Sequence, residues 1–228
     1  MQEKCVCDKC DLRSAFFKSF NKPESETFCN QKVEKNFSKG EIIIREGEQI
    51  RDFSYLKSGL VKLYKTTPSG KDQIILISEP FDFVSLLSVF SSSHYNYSVS
   101  VLEDSVICCL SMHDLKELAL GNAIFTMNLM EKMSETTDKI IIESLAIRLR
   151  HLRGKVAYIL LMFSDRIYNN TTFELPVSRR EIAEYIGVTT ENVIRSLSEF
   201  RKDKLIRING KEIEIIDKET LEKISNYG

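Results

Sequence analysis

The chain has 228 residues, 43% of them hydrophobic and 29% charged, and its 32 Lys and Arg nearly cancel its 33 Asp and Glu. A core is therefore available, and a polyanion partner would have to be met by a local patch rather than by net charge. No apolar run approaches the roughly 18 residues of a membrane span, and MQEKCVCDKC has no signal-peptide core, so no membrane partner is expected and the chain reads as cytoplasmic.

From about residue 33 to 111 the pattern is strand-like. EIIIREG, DFSYLKSGLVKLYKTTPSGKDQIILIS and YNYSVSVLEDSVICCLS are rich in β-branched and aromatic residues. Turn signals stand at Glu46-Gly47-Glu48, Ser58-Gly59 and Pro68-Ser69-Gly70-Lys71. Short strands at this spacing imply a β-barrel or sandwich. Residues 112–151 turn helical, with no Gly or Pro after Gly121. Steps of three and four give Met130, Met133, Thr137, Ile140, Ser144 and Ile147, a coiled-coil spacing. Leu129, Ile141, Leu145 and Leu149 lie on an adjacent face. Two apolar faces need two covering surfaces, so one is expected on the β-domain and the other on a partner helix of a homodimer.

The last part, residues 152–228, is smaller. GKVAYILLMFSDRIY reads as a helix and NNTTFELP as a turn with a short strand. Ser178 and Glu181 make a capping box, so a helix starts at Arg179. Ile182 and Ala183 point inward, and Gly187 ends the helix. Thr189 is a good N-cap for a second helix running to about Lys204, with Val193, Ile194, Leu197 and Phe200 as its apolar residues. Two such helices split by a glycine turn are a helix-turn-helix signature. Asn209-Gly210 in LIRINGKEIEII is a hairpin signal, so two strands form a wing.

The second helix of such a motif enters the DNA major groove with its N-terminal residues at base edges. Arg can hold guanine O6 and N7 together, and Glu can accept from cytosine N4. Glu191 and Arg195, four apart, share one face and could also brace each other. Thr190 and Ile194 complete the expected base-reading set. Bases at Arg195, Arg201, Lys202, Lys204, Arg207 and Lys211 outnumber Glu199 and Asp203 nearby. Arg179, Arg180, Arg201 and Lys202 are expected on the DNA backbone, where they would position rather than read. No nucleophile elbow, phosphate loop or paired-His motif points to an enzyme.

These stretches identify the chain as resembling the CRP/FNR regulators of bacterial transcription, over nearly its whole length. FSKGEIIIREGEQIRDFSYLKSGLVKLYKTTPSGKDQIIL is similar to the family's first barrel strands, EDSVICCL to the last, and Glu191 with Arg195 to the recognition-helix motif. The resemblance implies an α+β chain: a cupin-like sensor barrel (1–121), a dimerisation helix (122–151) and a winged helix-turn-helix (152–228). It implies a homodimer on a palindromic double-stranded operator whose half-sites keep a central G·C pair, with RNA polymerase as a further partner. Where the FNR branch has a Ser before the Arg, this chain has Ile194, which could meet a thymine methyl.

Three readings of the sensor stand side by side. For a cyclic nucleotide, the CRP branch uses Gly-Glu and then Arg-Ser or Arg-Thr. Ser85-Leu86 and Tyr95-Asn96 stand there instead, without carboxylate or cation, so an anionic ligand is not expected. For an iron-sulfur cluster, Cys7, Cys10 and Cys108 match the FNR branch, and Cys5 supplies a fourth thiol for a 4Fe-4S centre. The branch's remaining ligand falls near Phe16, with Cys29 a further candidate. The same thiols could hold zinc, or they are a remnant of a lost site, Cys108 or Cys109 being buried in any case. For haem, the candidate axial ligands are His94 and His113, both expected in exposed turns.

Overall fold

The computed structural model describes residues 32–227. They form two compact units, one of residues 32–66 and 75–139, the other of residues 67–74 and 140–227. Among the described residues, no helix is long and apolar enough to cross a membrane.

The first unit is built on β1 (Val33–Phe37), β2 (Ile42–Ile44), β3 (Asp52–Thr66), β4 (Asp72–Ser78) and β5 (Ser98–Ser111). The sheet order is β1-β5-β3-β4, with β2 also pairing to β5. β5 is the hub: Val33 to Phe37 face Cys109 to Ser105, while Phe53 and Tyr55 face Leu110 and Cys108. Ser58-Gly59, expected as a turn between strands, is instead inside the continuous strand β3. The register slips there between Leu56 and Val61, and Gly59 has φ 93°. A Cβ at Gly59 would lie 2.2 Å from Ser105 Oγ and 2.5 Å from the Asp104 carbonyl oxygen. The glycine thus allows a bulge that bends a 15-residue strand over its partner.

Alternation along β3 and β5 sends Phe53, Tyr55, Cys108 and Leu110 to one face. There they pack with Phe83, Val89, Leu115, Phe125 and Leu129. Phe83 precedes α1 (Leu86–Val89) and bridges to Tyr55, with its ring 4.8 Å from that of Phe53. The helical stretch after β5 holds two helices. α2 (Met112–Gly121) starts where the Ser111 hydroxyl accepts from Asp114 N. Asn122 then adopts an extended backbone. Its side-chain oxygen accepts from Phe125 N (2.9 Å) and caps α3 (Ala123–Arg148).

α3 buries Phe125, Leu129, Thr136, Glu143 and Ile147, four or seven residues apart, on one side of the helix. Lys132 and Lys139 both reach Asp82, at 3.8 and 2.9 Å, and Lys139 also reaches Glu79. Met130, Met133, Ile140 and Ile147, the residues expected at the dimer seam, differ in burial. Met130 is 56% exposed, but Met133 packs against the barrel core, Ile140 is half-buried and Ile147 is buried. The exposed apolar stripe is instead Ile124, Met127, Met130, Ile141, Ile142, Leu145 and Leu149. Three of these, Ile141, Leu145 and Leu149, had been expected to face inward.

In the second unit α4 (Leu152–Leu161) runs on into a π-helical turn, Met162–Ile167. Then come β6 (Thr172–Glu174), α5 (Arg179–Ile186), α6 (Thr190–Lys202), β7 (Ile206–Asn209), β8 (Glu212–Ile215) and α7 (Lys218–Tyr227). The sheet order is β6-β8-β7. The hairpin turns on Gly210 and Lys211, because Asn209 is already paired with Glu212. Val156, Phe163, Ile182, Val193, Phe200 and Ile213 are buried in this unit. Glu143, 3% exposed, is satisfied by Arg166 on the π-helical turn and by the Tyr185 hydroxyl on α5. A buried carboxylate needs such partners.

Candidate nucleic-acid interface

Local rules place the two helices. Ser178 Oγ accepts from Glu181 N (3.2 Å), and Glu181 Oε2 accepts from Ser178 N (2.8 Å). Gly187 closes α5 in the left-handed region, φ 69°. Thr189 Oγ1 then accepts from Asn192 N (3.3 Å) and opens α6. The buried side of α6 carries Val193, Ser196, Leu197 and Phe200, which fixes the opposite side outward.

On that outward side stand Glu191, Ile194 and Arg195, all exposed, with Thr190 half-buried beside them. Ile194 is 53% exposed, an apolar group held in solvent on a polar face. Glu191 and Arg195 do not brace each other. The helix N-terminus and the Thr189 hydroxyl hold the Glu191 carboxylate below the usual range. Arg195 Nη2 donates to Asn192 Oδ1 (3.2 Å). Asn192 was absent from the sequence reading. The i, i+3 spacing to Arg195 was a visible signal for it.

The expected backbone contacts divide. Arg201 and Lys202 are exposed at the last turn of α6. Arg180 is exposed and paired with Glu184 (2.8 Å). Arg179 is half-buried, donates to the Gly210 carbonyl (3.4 Å) and has its pKa lowered by burial. It ties the start of α5 to the wing turn, beside Lys211.

In the first unit, the stretch where a cyclic nucleotide would be read is filled with neutral groups. Ser85 Oγ accepts from Ser54 N (2.8 Å). The buried Tyr95 hydroxyl donates to Asp52 O (3.1 Å). Tyr97 is buried, its hydroxyl lies by Ser88 and the Leu87 backbone without a well-formed hydrogen bond, and burial pushes its pKa up to about 12. Asn96 is exposed, its N–H on Ser88 Oγ. His94 and His113 are both exposed, but neither is in a turn between elements: His94 forms an isolated bridge with Gln49 and hydrogen-bonds Ser93, and His113 is in the first turn of α2.

Cys5, Cys7, Cys10, Phe16 and Cys29 lie outside the described residues. Cys108 is fully buried, and burial pushes its thiol up to about 12. Its Sγ lies 3.7 Å from Glu34 Oε1, which Lys57 pairs with in turn (2.8 Å). Cys109 points to the other face of β5, 3.6 Å from Ser54 Oγ. Among the described residues no group of three His, Cys, Asp or Glu could hold a metal ion. A neutral thiol in an apolar core is the wrong form for thiolate ligation, so these residues do not by themselves fit a cluster or a zinc site.

Two family models match the chain: the cyclic nucleotide-binding domain over residues 34–122 and the Crp-like helix-turn-helix domain over residues 154–224. The transcriptional activator protein Anr of Pseudomonas protegens is 30% identical over 183 residues, 78% of this chain and 75% of its own length. The chain belongs to the CRP/FNR family of transcription regulators. Electron transport regulator A of Shewanella oneidensis is 28% identical, over 80% of this chain and 74% of its own. The fumarate and nitrate reduction regulatory protein of Escherichia coli K12 is 24% identical, over 85% and 78%. FixK2 of Bradyrhizobium japonicum shares the fold with a TM-score of 0.75 at 23% identity, over 85% of this chain and 96% of its own. Like these relatives, the CRP/FNR regulator described here joins a sensor-type β-domain to a Crp-like helix-turn-helix through a long helix.

Proposed function

We propose that this regulator binds a palindromic operator as a homodimer, each α6 lying in a major groove. The observation that carries this is the exposed trio Glu191, Ile194 and Arg195 on a helix whose opposite side is locked into the core. Arg195 reads guanine, Glu191 accepts from the paired or neighbouring cytosine, and Ile194 meets a thymine methyl, with Thr190 at the edge of the set. Arg201, Lys202 and Arg180 take phosphates, and Arg179 holds the wing against α5. The exposed stripe on α3 supplies the two-fold seam, its apolar residues covered by the same residues of a second copy. The chain acts on transcription without an enzymatic step, in the cytoplasm, with RNA polymerase as partner.

The test is a binding comparison on a selected operator and on random duplex. Arg195→Ala is expected to lose about 1–3 kcal/mol on the operator and to relax the guanine preference. Lys202→Ala is expected to weaken both duplexes alike. Equal loss on both duplexes for Arg195→Ala would remove the base-reading role.

For the signal, the neutral filling around Tyr97 argues against an anionic nucleotide. A metal-thiolate centre on Cys5, Cys7, Cys10 and Cys108, of the 4Fe-4S class, is the second reading, favoured by the likeness to the Anr and fumarate and nitrate reduction regulators. It requires Cys108 to leave its core position as a thiolate. Iron content and visible absorbance of anaerobic protein, with and without Cys108→Ser, decide between this and a remnant.

A further inference from the structure

We propose that Asn192 is a positioning residue for base reading: its side-chain oxygen orients the Arg195 guanidinium before DNA arrives. This rests on the base-reading role of Arg195 given above. Arg195 Nη2 donates to Asn192 Oδ1 at 3.2 Å. Asn192 is itself held, because its backbone N–H is the one that Thr189 caps (3.3 Å). A half-exposed amide in the first turn of α6 thus anchors the long, exposed arginine of the next turn.

The choice of a neutral acceptor matters. A guanidinium has five N–H donors in a planar fork, and a guanine takes two of them. A carboxylate brace tends to engage the fork bidentately and to offset its charge. A carbonyl oxygen takes one donor and leaves a free edge with full charge. Glu191, the alternative brace, is engaged at the helix N-terminus with Thr189. The base-reading carboxylate and guanidinium are therefore held apart, each available to its own base. Ordering an arginine on binding costs rotamer freedom, and the amide removes part of that cost in the free protein.

The experiment uses the full-length protein and three duplexes: the selected operator, the operator with the Arg195-read G·C changed to A·T, and random DNA. Arg195→Ala is measured first. If it leaves the guanine preference intact, the base-reading role fails and the Asn192 inference falls with it. If it removes the preference, Asn192→Ala is expected to cut the G·C to A·T affinity ratio by about three- to tenfold, the ordering cost of one long side chain. Binding to random DNA and the melting temperature stay as in the parent. Asn192→Asp replaces the neutral acceptor by a carboxylate that engages the fork, and is expected to lower the ratio as well while weakening all three duplexes through its charge. An unchanged ratio in Asn192→Ala, or an equal loss on operator and random DNA, overturns the inference. So does a parental ratio in Asn192→Asp, since the neutrality of the acceptor would then not matter.

Discussion

On α6 the polar groups face solvent: Glu191, Arg195, Arg201 and Lys202 stand exposed around the apolar Ile194. Around α1 and the approach to β5 a set of neutral polar groups is buried: Ser85, Ser88, Tyr95 and Tyr97. The first region keeps charged chemistry at the surface, where water solvates it until DNA replaces that water. The second offers neither a cation nor a carboxylate at the positions that would hold a nucleotide, and its hydroxyls mostly answer one another or the backbone. The contrast is between a helix that keeps charged side chains in solvent and a barrel segment that buries neutral ones. A barrel shape is kept by packing, and packing accepts serine or tyrosine where another member has a charged group.

The sensor unit breaks most completely at Gly59. Ala there has to adopt φ 93° and place its Cβ within 2.7 Å of three atoms of Asp104 and Ser105. Two of the three belong to backbone and cannot rotate away. Gly59→Ala is expected to cost about 3 kcal/mol or more, strain and overlap together. Urea unfolding followed by circular dichroism measures it. If the contrast between the regions is right, the fold of the DNA-binding unit changes less than that of the barrel, which hydrogen exchange resolves segment by segment.

A smaller effect is expected from the exposed stripe of α3. Leu145→Glu puts like charges opposite each other if the stripe is the two-fold seam. It should weaken the dimer by about 2–4 kcal/mol, seen in sedimentation velocity as a shift to monomer. Ile147→Glu makes a different break, because Ile147 is buried inside its own chain; there the loss appears in folding. A dimer unmoved by Leu145→Glu would transfer the seam to another surface.

Local features were the legible ones. The capping box at Ser178 and Glu181, Gly187 as helix end and Thr189 as cap depend on residues within a few positions of each other, and the helices begin and end there. The faces of α3 were not legible. Periodicity shows that two apolar stripes exist, and it carries no information on which one the chain covers with its own residues, so the burial of Met133 and Ile147 went against expectation. Gly59 reads as a turn until a partner strand remote in sequence is known, when it becomes a bulge. The pairing of Arg195 with Asn192 rather than Glu191 was a contest between two acceptors. It was decided by the helix N-terminus, which holds Glu191 for itself. The π-helical turn at Met162–Ile167 left no residue signature at all.

The smallest expected effect probes the sealed region through Tyr97. Its hydroxyl is buried by Ser88 and the Leu87 backbone without a well-formed hydrogen bond, and a poorly satisfied buried group costs stability that its removal returns. Tyr97→Phe keeps the ring and is expected to stabilise the chain by up to about 1 kcal/mol at neutral pH. The pH dependence has a definite sign. Burial raises the folded Tyr97 to about 12, so the folded state favours the protonated phenol. That contribution is complete below the unfolded tyrosine value of about 10 and is lost as pH rises through the folded value. Tyr97→Phe removes this alkaline loss, so its advantage over the parent should widen between neutral pH and pH values approaching the folded pKa. Urea midpoints at the two ends of that range measure it. A variant less stable than the parent at neutral pH would show that the hydroxyl has a partner in solution, and the region around Tyr97 would then be a site rather than a filling.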